Sequence, residues 1–237
     1  MAELWHQVKD NLTFVAVCIA IIAALAILSR LSERYLLKKR QVSPARRVSI
    51  VAVCAAIATV LHVLDFPLLF LAPEFYKLDF SELPVMLCGF YLGPSAAVAC
   101  EAVKIILKLL LKGTSTAFVG DFANFAVGCS LVLPAVIVYH LHKSRKGALI
   151  GLVLGTLILT IFGTAFNAIY LLPKFSQLYG MPLDAIIGMG SKINGNIHSI
   201  QSFVMLAVAP LNLIKGISVS VLTMLLYKKV ARPLFGK

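Results

Sequence analysis

The sequence predicts an all-α integral membrane protein, built as a six-helix bundle preceded by one extra N-terminal transmembrane helix. Of its 237 residues, 60% are hydrophobic and only 14% are charged, and the mean hydropathy is +0.93. Soluble proteins average about 25% charged residues, so this chain lacks the polar surface that water requires. At about 20 apolar residues a crossing, the chain has room for six or seven spans. The apolar runs lie near residues 11–29, 48–65, 83–92, 94–111, 117–139, 148–172 and 203–227.

The first apolar run is the extra helix. Glu3 and Asp10 precede it and basic residues follow it, which is not the pattern of a cleavable signal peptide. We therefore expect a retained transmembrane helix and a basic linker over residues 1–45, followed by a single six-helix domain over residues 46–237. Within that domain, Gly93-Pro94 predicts a tight turn between the third and fourth runs.

Clusters of basic residues lie between the first and second runs, between the fifth and sixth, and after the last. The positive-inside rule places these segments and the C-terminus in the cytoplasm, and the N-terminus outside, in a multi-pass protein of the bacterial cell membrane. Because basic runs also attract the anionic head groups of the bilayer, the net charge of +12 requires no nucleic-acid partner. The clusters are Arg30, Arg34, Lys38, Lys39, Arg40, Arg46 and Arg47, then Lys143, Arg145 and Lys146, then Lys228, Lys229, Arg232 and Lys237.

Residue patterns typical of enzymes and metal sites are missing. The five cysteines lie in apolar runs and form no C-x-x-C pair, which predicts neither a disulfide nor a metal site. The sequence contains neither H-E-x-x-H nor G-x-S-x-G, and its five histidines are scattered. We therefore expect no catalysis, no metal and no cofactor. A membrane enzyme acting on lipid or isoprenoid stays an alternative, since such enzymes can assemble a site from isolated residues. The histidines are His6, His62, His140, His142 and His198.

Charged and polar residues nevertheless interrupt the apolar runs. The segment Lys77-Leu78-Asp79-Phe80-Ser81-Glu82-Leu83-Pro84 places two carboxylates and a lysine between membrane helices. A charge in hydrocarbon costs about 2.5–3.5 kcal/mol, so such residues usually serve a polar cavity or an interface. Glu101 and Lys104 can pair along one helix, either as a neutralised structural pair or in support of a polar pocket. Asp121 suits the helix N-terminus that it occupies, and Asn124 beside it is a candidate for a pocket wall.

Two further polar residues lie in the last two runs. Asn167 is at the outer end of the sixth, where we expect Pro173 to end the helix, and its amide offers donors and an acceptor together. Its neighbours Phe166 and Tyr170 either flank a pocket or belong to an ordinary interfacial aromatic belt. Lys215 falls about midway along the last run, where its ammonium cannot easily reach either surface and needs a partner or a polar ligand.

Small residues form two lines at helical spacing. Gly147, Gly151 and Gly155 repeat every four residues in the sixth run, and such a line lets helix backbones approach closely. We expect the glycine line to pack inside the bundle. Ala52 and Ala56 in the second run either pack in the same way or form a dock for a partner subunit.

Taken in order, the motifs over residues 46–232 give the chain a resemblance to the riboflavin-specific S component of energy-coupling factor (ECF) vitamin transporters. Each motif alone is weak, but their order and spacing together are specific. Besides Ala52 to Ala56, they are Leu61-x-x-Leu64-Asp65-Phe66-Pro67, Leu78-Asp79-Phe80-Ser81-Glu82-Leu83-Pro84, Phe90-x-x-Gly93-Pro94, Ala102-Val103-Lys104, Phe122-Ala123-Asn124-Phe125, Asn167-x-x-x-Leu171-Leu172-Pro173 and Pro210-Leu211-Asn212-Leu213-Ile214-Lys215-Gly216.

The resemblance implies a six-helix substrate-binding domain that captures riboflavin from outside, as a transported ligand, and works with a T subunit and two ATPases. It implies that the isoalloxazine ring is held by the residues Lys77, Leu78, Asp79, Asn167 and Lys215, and that Ala52 and Ala56 pack against the T subunit. The extra N-terminal helix and the long loop over residues 175–202 depart from the family pattern. An S component for thiamine, pantothenate or a queuosine precursor is therefore the nearest alternative.

Overall fold

Helices make up almost all of the computed structural model, which describes residues 2–36, 42–114, 116 and 118–235. The all-α fold class is confirmed. The basic linker predicted around residues 37–41 lies outside the described residues. The helices are α1 (Ala2–Leu36), α2 (Pro44–Val63), α3 (Glu82–Leu92), α4 (Pro94–Lys112), α5 (Val119–Leu141), α6 (Arg145–Phe166), α7 (Leu172–Tyr179), α8 (Leu183–Ser191), α9 (Ile200–Phe203) and α10 (Ala209–Phe235).

Five helical stretches of the described chain are long and apolar enough to cross a membrane. Helix α3 has only 11 residues, and α4 carries Glu101, Lys104 and Lys108 along its length. The described helices therefore support a multi-pass membrane protein, while the count of six spans plus one stays a prediction. The five stretches are Ala16–Tyr35, Pro44–Val63, Val119–Leu141, Arg145–Gln177 and Ile200–Tyr227.

Two π-helical turns interrupt the last two long helices. Asn167–Leu171 joins α6 to α7, and Val204–Val208 joins α9 to α10. In each case a proline is the second residue of the helix that follows, Pro173 in α7 and Pro210 in α10. The prediction that Pro173 ends the helix is wrong, because a proline in the first turn of a helical segment gives up an N–H that is not needed there.

The long loop predicted over residues 175–202 is also partly wrong, since α7 continues to Tyr179 and α8 spans Leu183–Ser191. Another connection, between α2 and α3, is a small hairpin. Strand β1 (Phe66–Pro67) pairs antiparallel with β2 (Lys77–Leu78), with Phe66 opposite Leu78 and Pro67 opposite Lys77. From β2 the chain runs through the buried residues Asp79 and Ser81 directly into α3.

The glycine line of α6 packs against α5, as predicted. A Cβ added at Gly151 would lie 2.6 Å from the Ala135 carbonyl oxygen, and one at Gly155 would lie 2.4 Å from the Leu131 carbonyl oxygen. Only glycine lets the two backbones approach this closely. The main apolar core lies beside this contact and includes buried side chains from α2, α3, α4, α5, α6 and α10.

Helix α1 packs on the outside of α4 and α5. Leu25 contacts an apolar cluster that these two helices form, and Ser29 and Ser32 are buried on the same face of α1. The hydroxyls of these serines donate to backbone carbonyls of α1 itself, so they are satisfied within the helix. Leu25, Ser29 and Ser32 follow the helical period, so α1 presents one narrow face to the bundle.

The C-terminal end of α1 is tied to the bundle by three polar side chains, which we name the Glu33 clamp: Glu33, Arg47 and Ser95. Glu33 Oε1 accepts from Arg47 Nη2 at 3.2 Å, and Glu33 Oε2 accepts from Ser95 Oγ at 2.6 Å. Gly93 lies next to the Glu33 carboxylate. Its φ of 108° favours glycine, and a Cβ added there would lie only 2.6 Å from Glu33 Oε1, so both features require glycine at this position. The clamp therefore joins α1 to the starts of α2 and α4.

Candidate ligand-binding site

A cavity of about 350 Å³ opens at the end of the bundle that carries the hairpin. This volume is at the lower end of the range of about 300–1,000 Å³ that small-molecule sites occupy. Its walls come from the connection between α2 and α3 (residues 64–81, named the hairpin segment), α2, α4, α5, the first π turn, α7 and α10. The lining residues are His62, Asp65, Phe75, Tyr76, Lys77, Asp79, Lys108, Lys112, Gly113, Thr116, Gly120, Asp121, Ala123, Asn124, Val127, Asn167, Leu171, Phe175, Leu211, Asn212 and Lys215.

Asn167 is held in place by two hydrogen bonds. Its Oδ1 accepts from Tyr76 Oη at 2.6 Å, and its Nδ2 donates to the Gly163 carbonyl at 2.7 Å. Burial raises the pKa of Tyr76 above its ordinary value, so the hydroxyl stays protonated and able to donate. An amide has two N–H donors and two acceptor lone pairs, so Asn167 keeps one of each for a ligand.

Lys215 and Asp79 form an ion pair in the wall of the cavity. Lys215 Nζ lies 3.1 Å from Asp79 Oδ2 and 3.0 Å from Glu82 Oε1. Asp79 Oδ1 accepts from the Ser81 amide at 2.8 Å, and His62 Nδ1 lies 3.4 Å from Asp79 Oδ2 without hydrogen-bond alignment. Burial alone raises the pKa of Asp79, but Lys215 and His62 lower it more, so the pKa lies well below its ordinary value and the carboxylate is charged.

The mouth of the cavity carries further ion pairs, and those that Asp65 makes are partly exposed to solvent. Asp65 Oδ1 lies 3.4 Å from Lys77 Nζ and 3.2 Å from Lys112 Nζ. Lys108 Nζ lies 2.5 Å from Asp121 Oδ1, so the carboxylate at the start of α5 has an ion-pair partner as well as a helix N-terminus. The rim is therefore charged on both sides of the entrance.

The structure brings most of the predicted ligand-binding residues together. Lys77, Asp79, Asn124, Asn167 and Lys215 all line the cavity. Leu78 is buried, at 3% exposed, in the strand beneath the cavity, and its side chain is not part of the wall in the described structure.

The two predicted docking residues lie elsewhere. Ala52 and Ala56 are exposed on the outer face of α2, whereas their neighbours Ala55 and Thr59 are buried against the bundle. The Thr59 hydroxyl donates to the Ala55 carbonyl and lies 3.3 Å from the Lys104 carbonyl. The alanine pair is therefore available to a partner, while the adjacent line is not.

The two aromatics predicted beside Asn167, Phe166 and Tyr170, stack with Phe162 in a row along the end of α6 and the first π turn. The Phe162 and Phe166 ring centroids are 5.4 Å apart, and those of Phe166 and Tyr170 are 5.3 Å apart. These three rings are not among the lining residues in the part of the chain that the structure describes. The aromatic wall comes instead from Phe75, Tyr76 and Phe175.

Among the polar residues of the wall that sequence reasoning missed are His62, Tyr76 and Asn212. His62 was set aside with the scattered histidines, and its contact with Asp79 arises only when α2 meets the hairpin segment. Asn212 Nδ2 is buried and has no hydrogen-bond partner among the described residues. The signal for Asn212 was present, since it lies three residues before Lys215 and therefore on the same side of α10.

The helical bundle and the polar cavity at one end define a membrane protein with a small-molecule site. The family described as "ECF transporter, substrate-specific component" matches residues 46–227. A solved structure of the S component of a bacterial ECF transporter is 33% identical, with a TM-score of 0.64, and the match covers 81% of this chain and 99% of that one.

Two curated relatives also match over most of their length. The riboflavin transporter RibU of Staphylococcus aureus is 34% identical over 82% of this chain and 95% of the relative. The riboflavin transporter FmnP of Bacillus subtilis is 30% identical over 78% of this chain and 92% of the relative. The chain therefore belongs to the family of substrate-specific components of ECF transporters. This membership assigns it to transport across a membrane and not to catalysis.

Proposed function

We propose that this chain captures riboflavin in the cavity between the hairpin, α4, α5, the first π turn and α10, as the transported substrate of an ECF uptake system. The observation that carries the proposal is the match to riboflavin transporters at 30–34% identity over more than nine-tenths of their length. The cavity supports it. Asn167, Asn212 and Lys215 offer hydrogen-bond groups suited to the imide edge of a flavin ring, and Phe75, Tyr76 and Phe175 offer aromatic surface to the ring itself.

Riboflavin binding by the purified protein tests the proposal. Quenching of riboflavin fluorescence on titration with the protein is expected, with thiamine and pantothenate failing to compete. Asn167→Ala and Lys215→Ala are each expected to weaken binding tenfold or more, since losing a hydrogen bond to a buried ligand costs about 1–3 kcal/mol. Asn196→Ala and Lys192→Ala are matched controls, because both residues are exposed outside the cavity. A folded native protein that binds another vitamin and not riboflavin would contradict the proposal.

We also propose that the six-helix domain over residues 46–237 works with a T subunit and two ATPases, and that the cavity faces outward. The basic starts of α2 (Arg46, Arg47) and α6 (Arg145, Lys146) lie at the end of the bundle away from the hairpin. The positive-inside rule then puts those starts and the C-terminus in the cytoplasm, with the N-terminus outside.

The exposed pair Ala52 and Ala56 is the proposed contact for the T subunit. Replacing both by Trp is expected to leave riboflavin affinity unchanged and to abolish uptake by cells, because a bulky side chain holds a partner helix away. Val53→Trp with Ile57→Trp is the matched control, since these exposed residues lie about 100° further around α2. Normal uptake by the Ala52/Ala56 variant would remove this surface from coupling.

A further inference from the structure

Three charged side chains lie behind the wall of the cavity and do not line it in the described structure: Glu82, Glu101 and Lys104. Each is at most 1% exposed. Their contacts with Asp79, Ser81 and Lys215 form what we name the buried network. It connects the hairpin segment, α3, α4 and α10, so it reaches the cavity through Asp79 and Lys215.

Glu82 is the shared member of this network. Its Oε1 lies 3.0 Å from Lys215 Nζ and 3.4 Å from Lys104 Nζ. Lys104 Nζ in turn donates to Glu101 Oε1 at 2.5 Å and to Ser81 Oγ at 3.0 Å. Lys104 is thus held by two acceptors besides Glu82. Its ammonium in turn holds the Glu82 carboxylate close to the ammonium of Lys215.

The ammonium of Lys215 consequently has a defined direction. Lys215 donates a hydrogen bond to Asp79 and has Glu82 as a second anion 3.0 Å from its Nζ, which leaves at least one of its three N–H donors for a ligand in the cavity. A lysine stem has several rotatable bonds, so an ammonium with only one anionic partner would sample several positions. The second carboxylate removes that freedom and prepares the site for its ligand.

We infer that Glu82 and Lys104 are positioning residues for riboflavin: Lys104 fixes Glu82, and Glu82 aims the ammonium of Lys215 into the cavity. The inference rests on the proposed function, because it takes riboflavin as the ligand. Neither residue touches the cavity, so each acts on binding through Lys215. This sets them apart from Asn167 and Asn212, which line the cavity directly.

A double-mutant cycle on riboflavin affinity tests this arrangement. Glu82→Gln keeps the shape of the side chain and removes its charge, and it is expected to weaken riboflavin binding about tenfold in the native background. In a Lys215→Met background the same change is expected to weaken binding less than twofold, because the residue through which it acts is gone. In an Asn167→Ala background it is expected to keep its full effect. Glu74→Gln, in the exposed part of the hairpin segment, is the matched control.

Equal losses in the native and Lys215→Met backgrounds would overturn the inference, because Glu82 would then act on binding without Lys215. Undiminished affinity of Glu82→Gln in the native background would overturn it as well. A native protein that is folded and binds no riboflavin would instead contradict the proposed function.

A second variant tests the same inference and does not need the Lys215→Met background. Glu101→Gln combined with Lys104→Met removes one positive and one negative charge, so the net charge of the network is unchanged. It is expected to fold, judged by a single monodisperse peak in detergent, and to bind riboflavin at least threefold more weakly. Native affinity in this folded double variant would show that Lys104 does not position the site.

Discussion

Two polar clusters contact α4, the buried network around Lys104 and the Glu33 clamp at Ser95, and they differ in their exposure. In the clamp the side chains of Arg47 and Glu33 are 41% and 27% exposed. In the network the side chains of Lys104 and Glu82 are 0% and 1% exposed. The same pairing of lysine or arginine with carboxylate thus occurs in two different environments that both adjoin α4.

The energetic consequence follows from the environment and not from the distances. An ion pair that reaches solvent adds only about 0–1 kcal/mol to the free energy of unfolding, because water screens the charges and ordering two long side chains costs entropy. Removing one partner of a buried pair costs about 3–5 kcal/mol, because the remaining charge is left without compensation. The network should therefore control folding and ligand binding, whereas the clamp should fine-tune the position of α1.

The largest effect is expected for Lys104→Met. It leaves Glu82 and Glu101 facing each other without the ammonium between them, and we expect a loss of about 3–5 kcal/mol in stability. Thermal unfolding of the purified protein in detergent measures this. Arg47→Met is the matched control in the clamp and should change stability by less than about 1 kcal/mol. Equal losses in the two variants would show that burial does not separate the two clusters.

A smaller but definite effect is expected for Gly128→Ala in α5. A Cβ at Gly128 would lie 2.2 Å from Glu101 Oε1 and 2.9 Å from Glu101 Cδ, so the carboxylate would have to leave Lys104. Overpacking of this kind typically costs about 1–3 kcal/mol. Gly188→Ala in α8 is the control, since a Cβ there meets nothing within 4 Å. A Gly128→Ala variant with the same unfolding temperature as the native protein would show that the Glu101 carboxylate can move away at no cost.

A still smaller loss of stability is expected for Glu33→Gln in the clamp. The neutral amide keeps the shape of the side chain and can still accept from Ser95, so only the partly exposed ion pair with Arg47 is lost. We expect the stability to fall by less than about 1 kcal/mol and the riboflavin affinity to stay unchanged. Thermal unfolding and fluorescence titration of the same preparation give both values. A loss as large as that of Lys104→Met would mean that the clamp is not screened by solvent.

The two clusters also show what the sequence alone could predict. The Glu101–Lys104 pair follows from a spacing of three residues on one helix, and the structure confirms it. The contact of Lys215 with Asp79 joins residues 136 positions apart, and that of Tyr76 with Asn167 joins residues 91 apart. Helical periodicity predicts which face of a helix is polar but not which other segment meets that face. The need of Lys215 for a partner was therefore predictable, while its partners were not.

The π turns show the same limit in the backbone. Pro173 predicted an interruption of the sixth run, and the last two long helices are both irregular shortly before a proline, Pro173 in one and Pro210 in the other. The sequence did not show whether the chain would stop or continue. The chain continues, and neighbouring segments pack against each turn: Leu171 lies in an apolar cluster with Val119 and Ala123 of α5, and Val204 and Val208 lie in the cluster with Leu172 and Ile186. Such tertiary packing commonly overrides a local helix-breaking signal.

The smallest effect is expected on deleting residues 1–40, so that the chain starts near Gln41. In the part of the chain that the structure describes, none of the residues lining the cavity belongs to α1. Its inner face contacts only one side of α4 and α5, and the clamp that ends it is partly exposed. The basic flank at Arg46 and Arg47 stays in place to orient the bundle. We therefore expect riboflavin affinity within about twofold of the native value, because RT ln 2 is only about 0.4 kcal/mol. A truncated protein that is monodisperse and correctly oriented, yet binds riboflavin tenfold more weakly, would contradict this expectation. It would show that α1 influences the cavity through α4. The clamp would then affect ligand binding as the buried network does, although it is partly exposed to solvent.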